Sequence, residues 1–167
     1  MITVKKDLPI FTMELGDPFN LHELIPKYRE KNCTSHISNV DAWHSDYHTH
    51  KLTTMFNGVM DFLVEKSQQV VSEYYDGMPV PLKCENLWVM EYRKRDFARP
   101  HCHYPAAWAG VYYIDCDEES SPLLIEGSVE VQPTPGLFVL FPGIIMHEVL
   151  PTKTFRRALA LNFLNDL

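Results

Sequence analysis

The sequence predicts a mainly β chain with flanking helices, an α+β protein built as a sandwich or jelly roll whose N-terminal helices cover one sheet. Three observations carry that expectation. From position 82 onward the chain breaks into short runs of β-type residues separated by turn residues, at 87–93, 101–104, 108–115, 123–126, 137–141, 147–150 and 155–164. Before them lies one long segment whose apolar residues recur near helical spacing. The last run alternates strictly, so that it has two unlike faces.

Length and composition bound the rest. At 167 residues, with 46% hydrophobic and 22% charged residues, the chain suits one domain with a substantial core. We read it as a single unit over 1–167, with a supporting N-terminal strand and helices at 1–81 and a jelly-roll core at 82–167. A formal net charge of −7 argues against a nucleic-acid groove. The basic run Arg93-Lys94-Arg95 with Arg99 reads as a solvated turn, or a rim attracting a small anion. Cys33, Cys84, Cys102 and Cys116 form no CxxC pair, which suggests reduced thiols and a cytoplasmic protein. No apolar run approaches the ~20 residues of a membrane span, and the N-terminus lacks the apolar core of a signal peptide.

In order along the chain, residues 8–15 alternate as a first strand, with Pro9 suggesting an edge. Asp17-Pro18 turns the chain, and Asn20 with Glu23 suggests a capping box for a helix through Arg29 that Pro26 must kink or shorten. Residues 38–45 look like a loop. It leads into His44, Asp46, His48 and His50 within seven residues, a rival metal cluster. A helix would align His44 with His48 but leave His50 aside, and polar flanks would not dehydrate an ion. We therefore read this stretch as a surface loop folding over a cleft, with Trp43 as its apolar anchor. Thr54 is the expected N-cap of the long helix, Met55, Phe56, Val59, Met60, Leu63, Val64, Val70, Val71 and Tyr74 form its packing stripe, and Asp76-Gly77 ends it.

Three β segments carry the candidate chemistry. In Arg99-Pro100-His101-Cys102-His103-Tyr104-Pro105 a strand would point His101 and His103 to one side and Cys102 to the other. Such a pair alone is a weak signal. Phe141-Pro142-Gly143-Ile144-Ile145-Met146-His147 adds a distant third histidine, and two close ligands with one distant one is an economical metal site for a β-barrel. In the last strand Arg156, Ala158, Ala160 and Asn162 share one face, and Arg157, Leu159, Leu161 and Phe163 the other. The leucine face suits helix packing. The small, polar face suits a cavity wall, where a buried arginine would need an anion such as a carboxylate.

Together these residues resemble the iron(II)- and 2-oxoglutarate-dependent oxygenases, closest to their prolyl-hydroxylase-like branch. The resemblance rests on His101-Cys102-His103-Tyr104-Pro105, Gly110-Val111-Tyr112-Tyr113-Ile114, His147-Glu148-Val149-Leu150-Pro151 and Arg156, in that order and spacing. It spans roughly residues 84–164, with a looser echo at Ser38-Asn39-Val40. Small oxygenases with a His-x-His start, a Val-Tyr-Tyr strand and a Phe-Pro approach to the distal histidine are also similar. The resemblance implies a double-stranded β-helix of the jelly-roll, cupin-like type. It implies Fe(II), 2-oxoglutarate and O2 as cofactor and cosubstrates, with hydroxylation of a substrate coupled to release of succinate and CO2. His101 and His147 would be iron ligands. Arg156 and Tyr113 would grip the distal carboxylate of 2-oxoglutarate, and Tyr92 matches a further pocket tyrosine. His103 departs from the family's usual Asp or Glu. It is either a third ligand, which we favour, or a residue beside a two-histidine site. Trp43, Trp108 and Asn162 are the substrate-facing candidates. The substrate itself, a small molecule, peptide or protein, is not legible, and a homodimer is left open. Two other readings stay open: a cupin-type three-histidine dioxygenase without 2-oxoglutarate, and a non-catalytic jelly-roll binding module.

Overall fold

Hydrophobic alternation builds two facing antiparallel sheets. The computed structural model describes residues 8–32 and 39–166 of the chain; Cys33, Ser38 and residues 1–7 lie outside them. The larger sheet contains β1 (Phe11–Glu14), β3 (Trp43–His44), β4 (Leu82–Tyr92), β6 (Trp108–Cys116), β9 (Leu137–Pro142) and β11 (Arg156–Asn165), in the order β1-β9-β6-β11-β4-β3. The smaller contains β2 (Val40–Asp41), β5 (Phe97–His101), β7 (Leu123–Ile125), β8 (Val129–Val131) and β10 (His147–Val149), in the order β2-β5-β10-β7-β8. This is the jelly roll the sequence predicts. β2, β3 and β8 are two- or three-residue strands on too short a pattern to be read from sequence.

Period-2 alternation in the larger sheet feeds two separate cores. Leu87, Val89, Trp108, Tyr112, Phe138, Leu140, Leu159, Leu161 and Phe163 face the helices, meeting Leu21 and Ile25 of α1 (Leu21–Lys31) and Val59, Leu63 and Val71 of α3 (Asn57–Tyr74). Trp88, Met90, Tyr92, Val139, Phe141, Tyr113, Ala158 and Ala160 face the smaller sheet. β11 lies at the centre, antiparallel to β4 on one side and β6 on the other. Gly110 sits where a Cβ would come 2.7 Å from the Phe138 ring, so the helix-side core requires glycine there.

Several local expectations change. Asp17, not Asn20, caps α1: its carboxylate accepts from the amides of Leu21 and His22, and Asn20 makes no side-chain cap. The helix runs past Pro26 to Lys31. Thr53, rather than Thr54, accepts from the Met55 amide and starts the 3-10 turn Thr54–Phe56 that leads into α3. Arg93, Lys94 and Arg95 form an exposed turn, and Cys84, Cys102 and Cys116 are unpaired. Among the described residues no helix is long and apolar enough to cross a membrane.

Candidate metal centre and its cavity

The site lies between the sheets, in a cavity of about 460 Å³. Its floor is the small-residue face of β11 and the matching face of β4, paired as Arg156–Tyr92, Ala158–Met90, Ala160–Trp88 and Asn162–Asn86. Alanines at two rungs leave the space that leucines at those positions would fill.

His101, His103 and His147 converge on this cavity, each offering a ring nitrogen within 4.8 Å of the others. They form the one such group of three or more potential ligands among the described residues. His101 ends β5 and pairs across the sheet with His147 at the start of β10. His103 is not on a strand, which corrects the alternation argument: β5 stops at His101, and His103 opens the following turn. That turn is held by the His103 amide donating to the Gly143 carbonyl at 2.7 Å, and by Gly143 N–H donating to Ala107 O at 3.0 Å. A Cβ at Gly143 would stand 2.2 Å from the Ala106 carbonyl oxygen, so only glycine lets the two turns meet.

The donor set fits a metal. Nδ1 of His101 lies 2.7 Å from Arg99 O, and Nδ1 of His147 lies 3.1 Å from Ile145 O. A carbonyl can only accept, so both rings carry their proton on Nδ1 and present a lone pair at Nε2. Nε2 of His103 and Nε2 of His147 are 3.1 Å apart, a contact that needs a proton or a cation between two lone pairs. Burial, then the neighbouring imidazoles, pushes His103 down to about 3. Burial and His101 push His147 down to about 4, and burial lowers His101 as well. Neutral imidazoles are the ligating form, and they suit iron, zinc, copper or nickel.

At the far end of the floor Arg156 and Tyr92 line the cavity, and Tyr113, packed beside the guanidinium, is not among the lining residues. Arg156 is 2% exposed and Tyr113 and Tyr92 are fully enclosed. The guanidinium lies 4.7 Å from the Tyr92 ring and 5.3 Å from the Tyr113 ring, and Nη1 donates to Ser121 O at 2.9 Å. Nε of Arg156 and the Tyr113 hydroxyl have no hydrogen-bond partner in the protein. Burial holds the Tyr113 phenol above its ordinary value, so it stays a donor. A cation and two orphaned donors, all buried, suit an acceptor-only anion such as a carboxylate. Arg157, one residue on, faces the helices. It pairs with Glu91 at 2.8 Å and with Asp115, and Arg29 of α1 also reaches Glu91.

The substrate-facing candidates divide. Asn162 lines the cavity. Trp43 and Trp108 do not: both pack in the helix-side core, with Arg29 stacked 4.3 Å from the Trp43 ring. The histidine-rich loop does border the cavity, through His44 and Tyr47, while Trp43 anchors it on the opposite face. Sequence reading missed Trp88, whose ring lies 5.7 Å from His103. The signal was present, because Trp88 is two steps of alternation from Tyr92 on the same strand.

No family model matches the chain, and no curated protein sequence does. Solved structures do. A Pseudomonas putida prolyl-4-hydroxylase aligns at 13% identity over 96% of this chain and 94% of its own, with a TM-score of 0.68. The non-heme alpha-ketoglutarate-dependent epimerase SnoN from nogalamycin biosynthesis aligns at 12% over 95% and 78%, with a TM-score of 0.71. The viral collagen prolyl hydroxylase of Paramecium bursaria Chlorella virus-1, solved as a 2OG complex, aligns at 10% over 92% and 94%, with a TM-score of 0.64. The chain therefore has the fold of the 2OG-Fe(II) oxygenases. At these identities the likeness is one of fold.

Proposed function

We propose that the protein is an iron(II)- and 2-oxoglutarate-dependent oxygenase that hydroxylates an organic substrate with release of succinate and CO2. One observation carries the reading: three neutral imidazoles and a buried arginine whose Nε has no partner open on the same cavity, in the fold of such enzymes. His101, His103 and His147 would hold the metal. Arg156 and Tyr113 would bind the distal carboxylate of 2-oxoglutarate, with Tyr92 as the wall behind the guanidinium. The bound metal supplies the oxygen-activating redox chemistry. The chain's own contribution is to desolvate and orient: the Arg99 and Ile145 carbonyls fix the His101 and His147 tautomers, and the apolar walls exclude water.

His103 favours a second reading, a three-histidine dioxygenase of the cupin type that uses no keto acid, because a third imidazole stands where the two-histidine, one-carboxylate site would carry its acid. The two part on one assay. Purified chain with Fe(II), O2 and 2-oxoglutarate should form succinate, and the product should disappear in His147→Ala. Metal binding without either 2-oxoglutarate binding or succinate would overturn the first reading and leave the second.

A further inference from the structure

Beyond the histidines, the floor ends in a polar rung that neither the metal nor the anion nest uses. Asn162 and Asn86 pair across β11 and β4, two rungs past Ala158–Met90. Asn162 Nδ2 donates to Asn86 Oδ1 at 3.1 Å, and Asn86 Nδ2 lies 3.1 Å from His48 Nε2. The Asn162 Oδ1 is buried and has no partner in the protein. A buried carbonyl oxygen without a donor is costly, and Asn162 lines the cavity, so a donor on the cavity's occupant would satisfy it.

The relay has two self-consistent polarities. If His48 Nε2 accepts, both amides run donor-first and Asn162 offers the cavity an acceptor. If Nε2 carries the proton, both amides invert and Asn162 offers a donor. The Asp46 carboxylate biases the relay towards the first. Its Oδ1 is 3.9 Å from His48 Nδ1 and accepts the His48 amide at 2.7 Å, which favours the proton on Nδ1 and leaves Nε2 the acceptor.

The surroundings narrow the chemistry further. Trp88 stands one rung inward opposite the small side chain of Ala160, with Tyr47 edge-on to it at 5.2 Å. Arg156 is the sole Arg or Lys among the described residues lining the cavity, and Glu85 at the same end pairs with Lys51 at 3.9 Å. A second anion would find no cation among the residues lining that end, and would meet the Glu85 carboxylate.

Resting on the oxygenase reading, we propose that Asn162 is the specificity-determining residue, oriented by Asn86 and His48. Its substrate class is an uncharged, ring-bearing molecule that donates an N–H or O–H to Oδ1 while its ring packs on the wall formed by Ala160 and the edge of Trp88. A site built to accept a hydrogen bond rejects an isostere that lacks the donor, because the buried oxygen is then left unpaired.

Indole and its carbocyclic isostere indene are a matched probe pair: nearly the same size and shape, uncharged, with and without the ring N–H donor. Their binding to the full chain loaded with Zn(II) is read by ligand-observed NMR, with and without 2-oxoglutarate. Indole should bind at least about tenfold more tightly. Asn162→Leu should reduce that preference to within about twofold and leave 2-oxoglutarate affinity unchanged. Asn162→Asp, which still accepts, should retain it, and Asn86→Leu, which frees the amide to rotate, should weaken it. Equal binding of the two probes, no binding of indole, or a preference that survives Asn162→Leu would overturn the proposal. Loss of 2-oxoglutarate binding with the indole preference intact would instead sink the oxygenase reading and leave the amide subsite standing.

Discussion

At the scale of single residues, adjacent arginines have opposite fates. Arg156 faces the cavity with donors to spare, and Arg157 is already engaged by Glu91 and Asp115 on the helix side. Losing a charge-assisted pair in a shielded site costs roughly 2–5 kcal/mol. Arg156→Ala should therefore weaken 2-oxoglutarate binding at least about tenfold in a calorimetric titration. Arg157→Ala should leave binding nearly intact and lower the melting temperature, because the buried Glu91 then keeps only Arg29 of its two arginine partners. The reverse ranking would mean that the cosubstrate is held elsewhere. His103 gives a second test. If it ligates, His103→Ala should lower metal affinity without unfolding the chain, and His103→Asp should restore it, since a carboxylate oxygen can take the vacated position. Metal binding by His103→Ala within about threefold of wild type would reduce the protein ligands to His101 and His147.

At the scale of elements, the turn bearing His103 depends on Gly143. Gly143→Ala sets a methyl against the Ala106 backbone oxygen, which cannot give way as a flexible side chain would. We expect a loss of about 1–3 kcal/mol in chemical denaturation and a parallel loss of metal affinity, because the displaced turn carries a ligand. Unchanged metal affinity in a destabilised variant would uncouple the turn from the site. Legibility in sequence follows the same division. β11 was readable residue by residue, since alternation over ten residues leaves one register that buries Leu159, Leu161 and Phe163. The same parity on β6 puts Trp108 with Tyr112 and opposite Tyr113, so its placement at the cavity mouth went against a pattern already in hand. His103 does stand with the other histidines, but the alternation argument for it does not hold: the turn, not the strand, brings it there. The Asp17 cap and the short strands β2, β3 and β8 depend on contacts distant in sequence or on patterns too brief to count.

At the scale of the whole molecule, three neutral imidazoles, His147 buried and His101 and His103 half-buried, make the metal-free chain sensitive to acid. Their folded-state values lie below the ~6.5 of an unfolded histidine. As pH falls the unfolded chain takes up protons first, so stability is full above about 6.5 and declines towards the folded values, about 4 for His147 and about 3 for His103. The His147 contribution alone is on the order of 3 kcal/mol by pH 4. Calorimetry of the metal-free chain should show the melting temperature dropping between pH 6.5 and 4.5, with a shallower drop in His103→Asn. Equal slopes for the two proteins would place the sensitivity elsewhere. For the same reason, proton competition with metal should begin well below the ordinary histidine range.

The back-to-back arginines also have a consequence for how the sheet assembles. Sliding β11 by one residue against its neighbours would carry Arg157 into the cavity and Arg156 among the leucines, leaving Glu91 without its strand partner and a cation in an apolar layer. A strand with one arginine could tolerate such a slip at one face. With two, both faces object at once, so the pair works as a vernier that admits a single alignment of the central strand.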